Sequence, residues 1–150
     1  MGYAFDVCLR TSDARVVICT LTLKHAKNIY WKDMQRFAKR WGLAVEWNKQ
    51  DLTVTFRNGS TIMMVGAESS EHIDKLRGDS YDLVVIDECK SFHPDVLNEL
   101  VNDVVEPALD DRDGTLLLIG TPGNILDGMF YWATADYFET NANRMRYPDF

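Results

Sequence analysis

Tyr81-Asp82-Leu83-Val84-Val85-Ile86-Asp87-Glu88 runs four consecutive apolar residues straight into two adjacent carboxylates. Without polar alternation, such a run suits a strand covered on both faces, as in a parallel sheet flanked by helices. Closing it with two acids is costly unless a cation or water meets them. The run therefore constrains fold and chemistry together. Two other stretches share its apolar character, Arg15 to Thr20 and Thr115 to Ile119, and helical patterns lie between the three. Strands alternating with helices predict an α/β domain: a mostly parallel sheet with helices on both faces.

The remaining punctuation fits one domain over residues 1–150, with no repeat and no Pro/Gly-rich linker. Residues 3–10 read as the end of a helix. A long helix is expected over about residues 22–41, where Leu23, Ala26, Tyr30, Met34, Phe37 and Trp41 recur at intervals of three and four and form one buried stripe. Gly42 follows as a left-handed cap. Short strands are expected near residues 44–47, 52–57 and 61–65. Asn58-Gly59 joins the last two as a hairpin whose turn positions both need positive φ, giving an antiparallel edge. A short helix is expected over residues 70–76. Pro94 opens a further helix with Leu97, Leu100, Val101, Val104 and Val105 buried, and Pro107 ends it. Asp113-Gly114 turns into the third apolar strand, and the aromatic-rich residues 125–138 read as helical.

The longest apolar run, Met129 to Ala133, is five residues, far short of the roughly 20 that span a bilayer. No basic start precedes an apolar stretch, so no secretory signal is visible. Cys8, Cys19 and Cys89 are odd in number and lack C-x-x-C spacing, which indicates a reducing compartment and no disulfide framework. Cys89 with His93 is only half a zinc site. The net charge of −7 argues against a chain held to nucleic acid mainly by phosphate neutralisation. The charge is uneven, however: residues 24–40 hold six Lys/Arg and one acid. A solvated helix face is the simpler account of that stretch, and contact with a polyanion is the other. Trp41 is expected in the core, while Trp31 and Trp47 are undecided. His25, His72 and His93 have no sequence partner suggesting general-base work. Arg77-Gly78-Asp79-Ser80 spells an integrin-binding tetrapeptide by coincidence.

On a buried parallel strand, Asp87 and Glu88 emerge at the carboxyl end, where α/β sheets place ligands. This is the Walker B pattern. Asp87 would hold Mg²⁺, through its water shell, and Glu88 would orient and polarise the water that attacks ATP. The bland alternative is a strand that ends in a polar turn. Thirty-two residues after Glu88, the third strand ends in Gly120-Thr121-Pro122-Gly123. Gly120 lets the backbone approach a γ-phosphate, and the Thr121 hydroxyl supplies a donor whose partner disappears on hydrolysis. Here the alternative is a plain Pro-Gly turn. The two strands together resemble neighbouring strands of an additional-strand P-loop NTPase.

Leu76-Arg77-Gly78, then Asp82 to Glu88, then Asp111-Arg112-Asp113-Gly114, then Leu118 to Gly123 resemble, in that order, the ATPase region of large terminase subunits, the DNA-packaging motors of tailed bacteriophages. Thr20 followed by a basic helix with Tyr30-Trp31 is similar to the part after the P-loop in that family. The resemblance runs from about residue 3 to about 140. It implies Mg²⁺-ATP hydrolysis coupled to translocation of double-stranded DNA. It also implies a homo-oligomeric ring of the full-length protein, a portal protein and a small terminase subunit as partners, no membrane, and the cytoplasm of an infected or prophage-carrying bacterium. Arg77 is either a surface arginine pairing with Asp74 or Asp79, or, as the family's ring implies, a finger reaching a neighbouring subunit's γ-phosphate.

The chain departs from the family in one respect above all. A phosphate-binding loop needs Gly-Lys-Ser/Thr, and none of the nine glycines precedes a lysine. Gly123 and Gly128 have the outer spacing, but Met129-Phe130 stand where Lys-Ser/Thr belong. An amino-truncated ATPase fragment, without the family's carboxyl-terminal nuclease, is the expectation, with negligible ATP turnover by the chain alone and strand edges left open to aggregation. Two other functions remain open: a superfamily 2 helicase fragment, disfavoured because Cys89-Lys90 follows Glu88, and a non-catalytic α/β assembly module.

Overall fold

The computed structural model describes residues 1–67, 73–74 and 76–121. Helix α1 spans Gly2–Arg10, and β1 spans Arg15–Thr20. Helix α2, residues 23–40, is continuous but has three parts: Leu23–His25, a π-helical turn Ala26–Tyr30, and Trp31–Arg40. Strands β2 (Val45–Asn48), β3 (Thr53–Phe56) and β4 (Thr61–Gly66) follow, then β5 (Leu83–Ile86). Helix α3, residues 94–110, again encloses a π-helical stretch: Pro94–Asn98, Glu99–Val105 and Glu106–Asp110. β6 covers Thr115–Leu118.

Among the described residues the six strands form one sheet in the order β2-β3-β4-β1-β5-β6. The pairs β4/β1, β1/β5 and β5/β6 are parallel, and β2/β3/β4 are antiparallel. The expected α/β architecture with an antiparallel edge is the one observed. Because successive strand residues point to opposite faces, β1 and β5 feed two cores. Val17, Cys19, Val84 and Ile86 pack with α3 residues such as Leu97, Leu100 and Val104 on one face. Val16, Ile18, Leu83 and Val85 pack with Phe5 of α1 and Trp31 and Met34 of α2 on the other. Burial on both faces explains why neither strand alternates.

Four expectations are corrected. First, α2 does not bury the stripe that a uniform 3.6-residue period would give. Ala26, Trp31, Met34 and Ala38 are the buried positions. The step of five from Ala26 to Trp31 is the π turn, which holds one extra residue and rotates all that follows. Tyr30 leaves the stripe, and Trp41 lies 64% exposed beyond the helix end rather than in the core. Trp31 is buried and meets Trp47 edge-on, with ring centroids 5.2 Å apart. Gly42 is left-handed as expected, with φ 61°.

Second, the turn at Asn58-Gly59 has positive φ only at Gly59. Four residues separate β3 from β4, so the tight two-residue form is not required. The Asn58 side chain accepts from Ser60 N–H at 3.2 Å and donates to the Cys8 carbonyl at 2.7 Å, stitching the turn to α1. Third, Leu52 is not a strand residue: it is buried at φ 49° in the turn before β3. Fourth, Pro107 does not end α3, which continues to Asp110. It falls at the start of the segment after the π-helical stretch, where the missing N–H is best tolerated. The expected helix over residues 70–76 lies largely, and that over 125–138 wholly, outside the described residues.

Two close approaches fix the helices on the sheet. A Cβ on Gly66, the last residue of β4, would sit 2.2 Å from the Leu23 backbone nitrogen. Gly66→Ala is expected to cost about 1–3 kcal/mol, read as a lowered denaturation midpoint at unchanged m-value. At the opposite edge Arg112 donates to Asp82 Oδ2 at 3.0 Å, Ser80 Oγ at 3.1 Å and the Asp13 carbonyl at 3.2 Å. The Asp111-Arg112-Asp113-Gly114 segment is thus a clasp at the amino ends of β1 and β5.

Candidate functional site

The acid pair sits where three parallel strands end together. Asp87 N–H donates to the Cys19 carbonyl at 2.9 Å, carrying the β1/β5 ladder one residue further. Ile119 N–H donates to the Ile86 carbonyl at 2.8 Å, and Cys89 N–H donates to the Ile119 carbonyl at 3.0 Å. Residues 87–89 are therefore wedged between the ends of β1 and β6, and Gly120-Thr121 leaves β6 directly beside Glu88. The structure brings Asp87, Glu88, Gly120 and Thr121 to one sheet edge.

Glu88 has φ 56° and ψ 38°. That left-handed conformation costs a residue with a Cβ about 1–2 kcal/mol and turns the chain sharply after the strand. Ser91 N–H closes the turn on the Glu88 carbonyl at 2.7 Å. Among the described residues Asp13, Leu52 and Asp113 share this conformation, and only Glu88 adopts it at the carboxyl end of the parallel strands. Asp87 is half-buried and Glu88 exposed. Beneath them Cys89 is buried, and burial pushes its thiol up to about 11. It stays protonated and donates to the Ile86 carbonyl at 3.2 Å. It is a structural donor rather than half of a zinc site, and no group of three or more metal-ligating side chains occurs among the described residues.

Two side chains that sequence reasoning passed over complete the edge. The Tyr30 hydroxyl donates to Asp87 Oδ2. Burial, then the bond to Asp87, raises the Tyr30 ionisation well above the usual phenol range, so it remains a donor. His25 Nδ1 lies 4.0 Å from Glu88 Oε2, which gives that histidine the acidic neighbour the sequence did not suggest. Thr22 sets the start of α2: its hydroxyl oxygen accepts from His25 N–H at 3.1 Å, and its carbonyl accepts from the Thr20 hydroxyl at 2.8 Å. No sequence signal marked Tyr30, because a regular helical count from Ala26 places it on the buried stripe.

Arg77 is not brought to this cluster. Its guanidinium donates to Asp74 Oδ1 at 2.7 Å, Glu99 Oε1 at 3.2 Å and the Asp103 carbonyl at 3.0 Å. Of the two expected partners it takes Asp74, while Asp79 pairs with Arg15 at 3.2 Å. Pro107 has no N–H to offer the Asp103 carbonyl, and Arg77 supplies a donor there. Among the described residues, Lys24, Lys27, Lys32, Arg36, Lys39 and Arg40 are all exposed on α2, and only Arg36 is paired within the helix, with Asp33 at 3.0 Å.

The donor set suits a hard cation that keeps most of its water. Mg²⁺ takes one or two carboxylates with waters and phosphate oxygens rather than an all-protein cage. Asp87 and Glu88 at the strand ends offer such carboxylates, with Thr121 on the segment that leaves the neighbouring strand. Among the described residues no helix is long and apolar enough to cross a membrane.

A sequence model described as "Terminase large subunit, T4likevirus-type, N-terminal" matches residues 2–107. The fold is similar to the large terminase ATPase domain of Thermus phage P74-26, with TM-score 0.63 and 21% identity, covering 87% of this chain and 55% of that one. It is also similar to the large terminase of the thermophilic bacteriophage D6E in complex with ADP, with TM-score 0.66 and 16% identity, covering 95% of this chain and 34% of that one. A third similar structure is the large terminase of bacteriophage HK97, with TM-score 0.66 and 14% identity over 87% of this chain and 27% of that one. The chain thus spans about half of one of these chains and a third or less of the other two. No curated protein sequence matches it.

Proposed function

The chain belongs to the terminase large subunit N-terminal family of T4likevirus type, and from that premise we propose that it is part of the ATPase of a DNA-packaging motor, working in the cytoplasm of an infected or prophage-carrying bacterium. In this reading Mg²⁺-ATP hydrolysis drives double-stranded DNA into a capsid from a homo-oligomeric ring, with portal protein and small terminase subunit as partners. The observation that carries it is the meeting of Asp87-Glu88 and Gly120-Thr121 at adjacent carboxyl strand ends.

Bound there, Mg²⁺ would neutralise charge on the phosphate oxygens. Asp87 would hold its water shell. Glu88, exposed on its left-handed turn, would orient the attacking water and accept its proton. Thr121 would donate to the terminal phosphate, and Gly120, without a side chain, would let the backbone come close to it. The D6E large terminase is in complex with ADP, which supports nucleotide binding as part of this reading. Arg77 would act on a neighbouring subunit's phosphate, and its bonds to Asp74, Glu99 and Asp103 would have to open first. The exposed lysines and arginines of α2 are the electrostatic surface for DNA phosphates.

The 150 residues contain no Gly-Lys pair, so the chain alone is expected to bind nucleotide weakly and to turn it over negligibly. Equilibrium binding of a fluorescent ATP analogue with and without Mg²⁺, for the chain and for Asp87→Asn, tests this. The expected result is weak binding strengthened by Mg²⁺ only when Asp87 is present. ATP turnover at a motor's rate that disappears in Asp87→Asn would overturn the expectation of inactivity. Binding indifferent to Mg²⁺ and to Asp87 would favour the non-catalytic assembly module.

A further inference from the structure

We infer that Tyr30 is a positioning residue for the Asp87 carboxylate, and that the π turn in α2 exists to place it there. The inference rests on the reading of Asp87 as the cation-holding acid. A regular helix would put Tyr30 four residues after Ala26, on the buried side. The π turn puts Trp31 in that slot instead and turns Tyr30 toward the end of β5, where its hydroxyl donates to Asp87 Oδ2. Single π turns are rare and cluster at functional sites. The same turn seats Trp31 against Trp47 in the core, so one wide turn serves both the packing and the placement of Tyr30.

The chemistry gives the turn a purpose. A strand-end aspartate rotates freely, and a carboxylate that must face a hydrated cation loses affinity for every orientation it samples. A donor on Oδ2 fixes the side-chain torsions and thereby sets where Oδ1 points. Outer donors of this kind hold metal-binding side chains in register. The rest of the surroundings agree. The Asp87 backbone is already fixed by the Cys19 carbonyl, and the start of α2 is fixed by the Thr22 cap. Tyr30 is the element that fixes the side chain between them.

The test is a titration of the 150-residue chain with Mn²⁺, read by electron paramagnetic resonance without nucleotide, on the wild type, Tyr30→Phe, Asp87→Asn and Ile29→Ala. A bound-Mn²⁺ signal should vanish in Asp87→Asn. In Tyr30→Phe, binding should weaken about 10-fold with the melting temperature unchanged. Ile29→Ala, in the same turn with an exposed side chain, should bind as the wild type. Equal affinity of wild type and Tyr30→Phe overturns the inference alone, as does equal weakening by Ile29→Ala. Equal binding by wild type and Asp87→Asn overturns the reading of Asp87 and the inference with it. A second measurement covers an unstable Tyr30→Phe: 3-fluorotyrosine at position 30 should show a fluorine resonance that shifts when Asp87→Asn is introduced in metal-free protein. An unmoved resonance overturns the contact.

Discussion

Glu88→Gln should lower ATP turnover by about 10²–10⁴-fold in a chain that also carries a Gly-Lys-Ser/Thr phosphate-binding segment, with nucleotide affinity little changed. The amide keeps the size and the left-handed turn but cannot take a proton from water. The loss should therefore fall on kcat rather than KM, and single-turnover hydrolysis with a separate binding measurement reads both. Asp87→Asn should behave differently, losing the Mg²⁺ dependence of binding as well. Identical kinetic signatures for the two variants would show that the acids act as one unit and would remove the division of roles between them.

Ile86→Ala is expected to be the most damaging truncation in the sheet. Ile86 is fully buried, the last residue of β5, and it packs in the core shared with α3. Deleting its side chain leaves a cavity that strands on either side cannot close, at a cost of about 2–5 kcal/mol. For a domain of this size each kcal/mol lowers the melting temperature by about 2–4 °C, so a fall of ten degrees or so is expected in a thermal melt. A change under two degrees would mean that the β1/β5/β6 junction does not carry the fold.

The three apolar strands and the meeting of the acid pair with the Gly-Thr turn were legible because each depends on a local cue. Unbroken apolar runs indicated two-sided burial, which holds for β1 and β5 but not for β6, where Leu117 is exposed at the sheet edge; parallel neighbours put their ends at one edge. The shape of α2 was not legible from its period. Counting by three and four assumes a uniform helix, and one wide turn moved Tyr30 to the half-buried margin of the core and left Trp41 in solvent. The hairpin misled for a related reason: Asn58 uses its amide to tie α1 rather than its backbone to make a tight turn. Pro107 looked like a stop, but the preceding π-helical stretch and Arg77 accommodate it. His25 and Glu88 lie 63 residues apart in sequence, and only the packing of α2 across the strand ends brings them together.

The contact between Gly66 and the first turn of α2 has a mechanical consequence. With no room between β4 and the Leu23 backbone, the first turn of the helix cannot slide toward the sheet, and Trp31, Met34 and Ala38 anchor the part beyond the wide turn in the core. The wide turn that carries Tyr30 therefore sits between two fixed stretches, and any change in their spacing has to be absorbed at the tyrosine–aspartate contact.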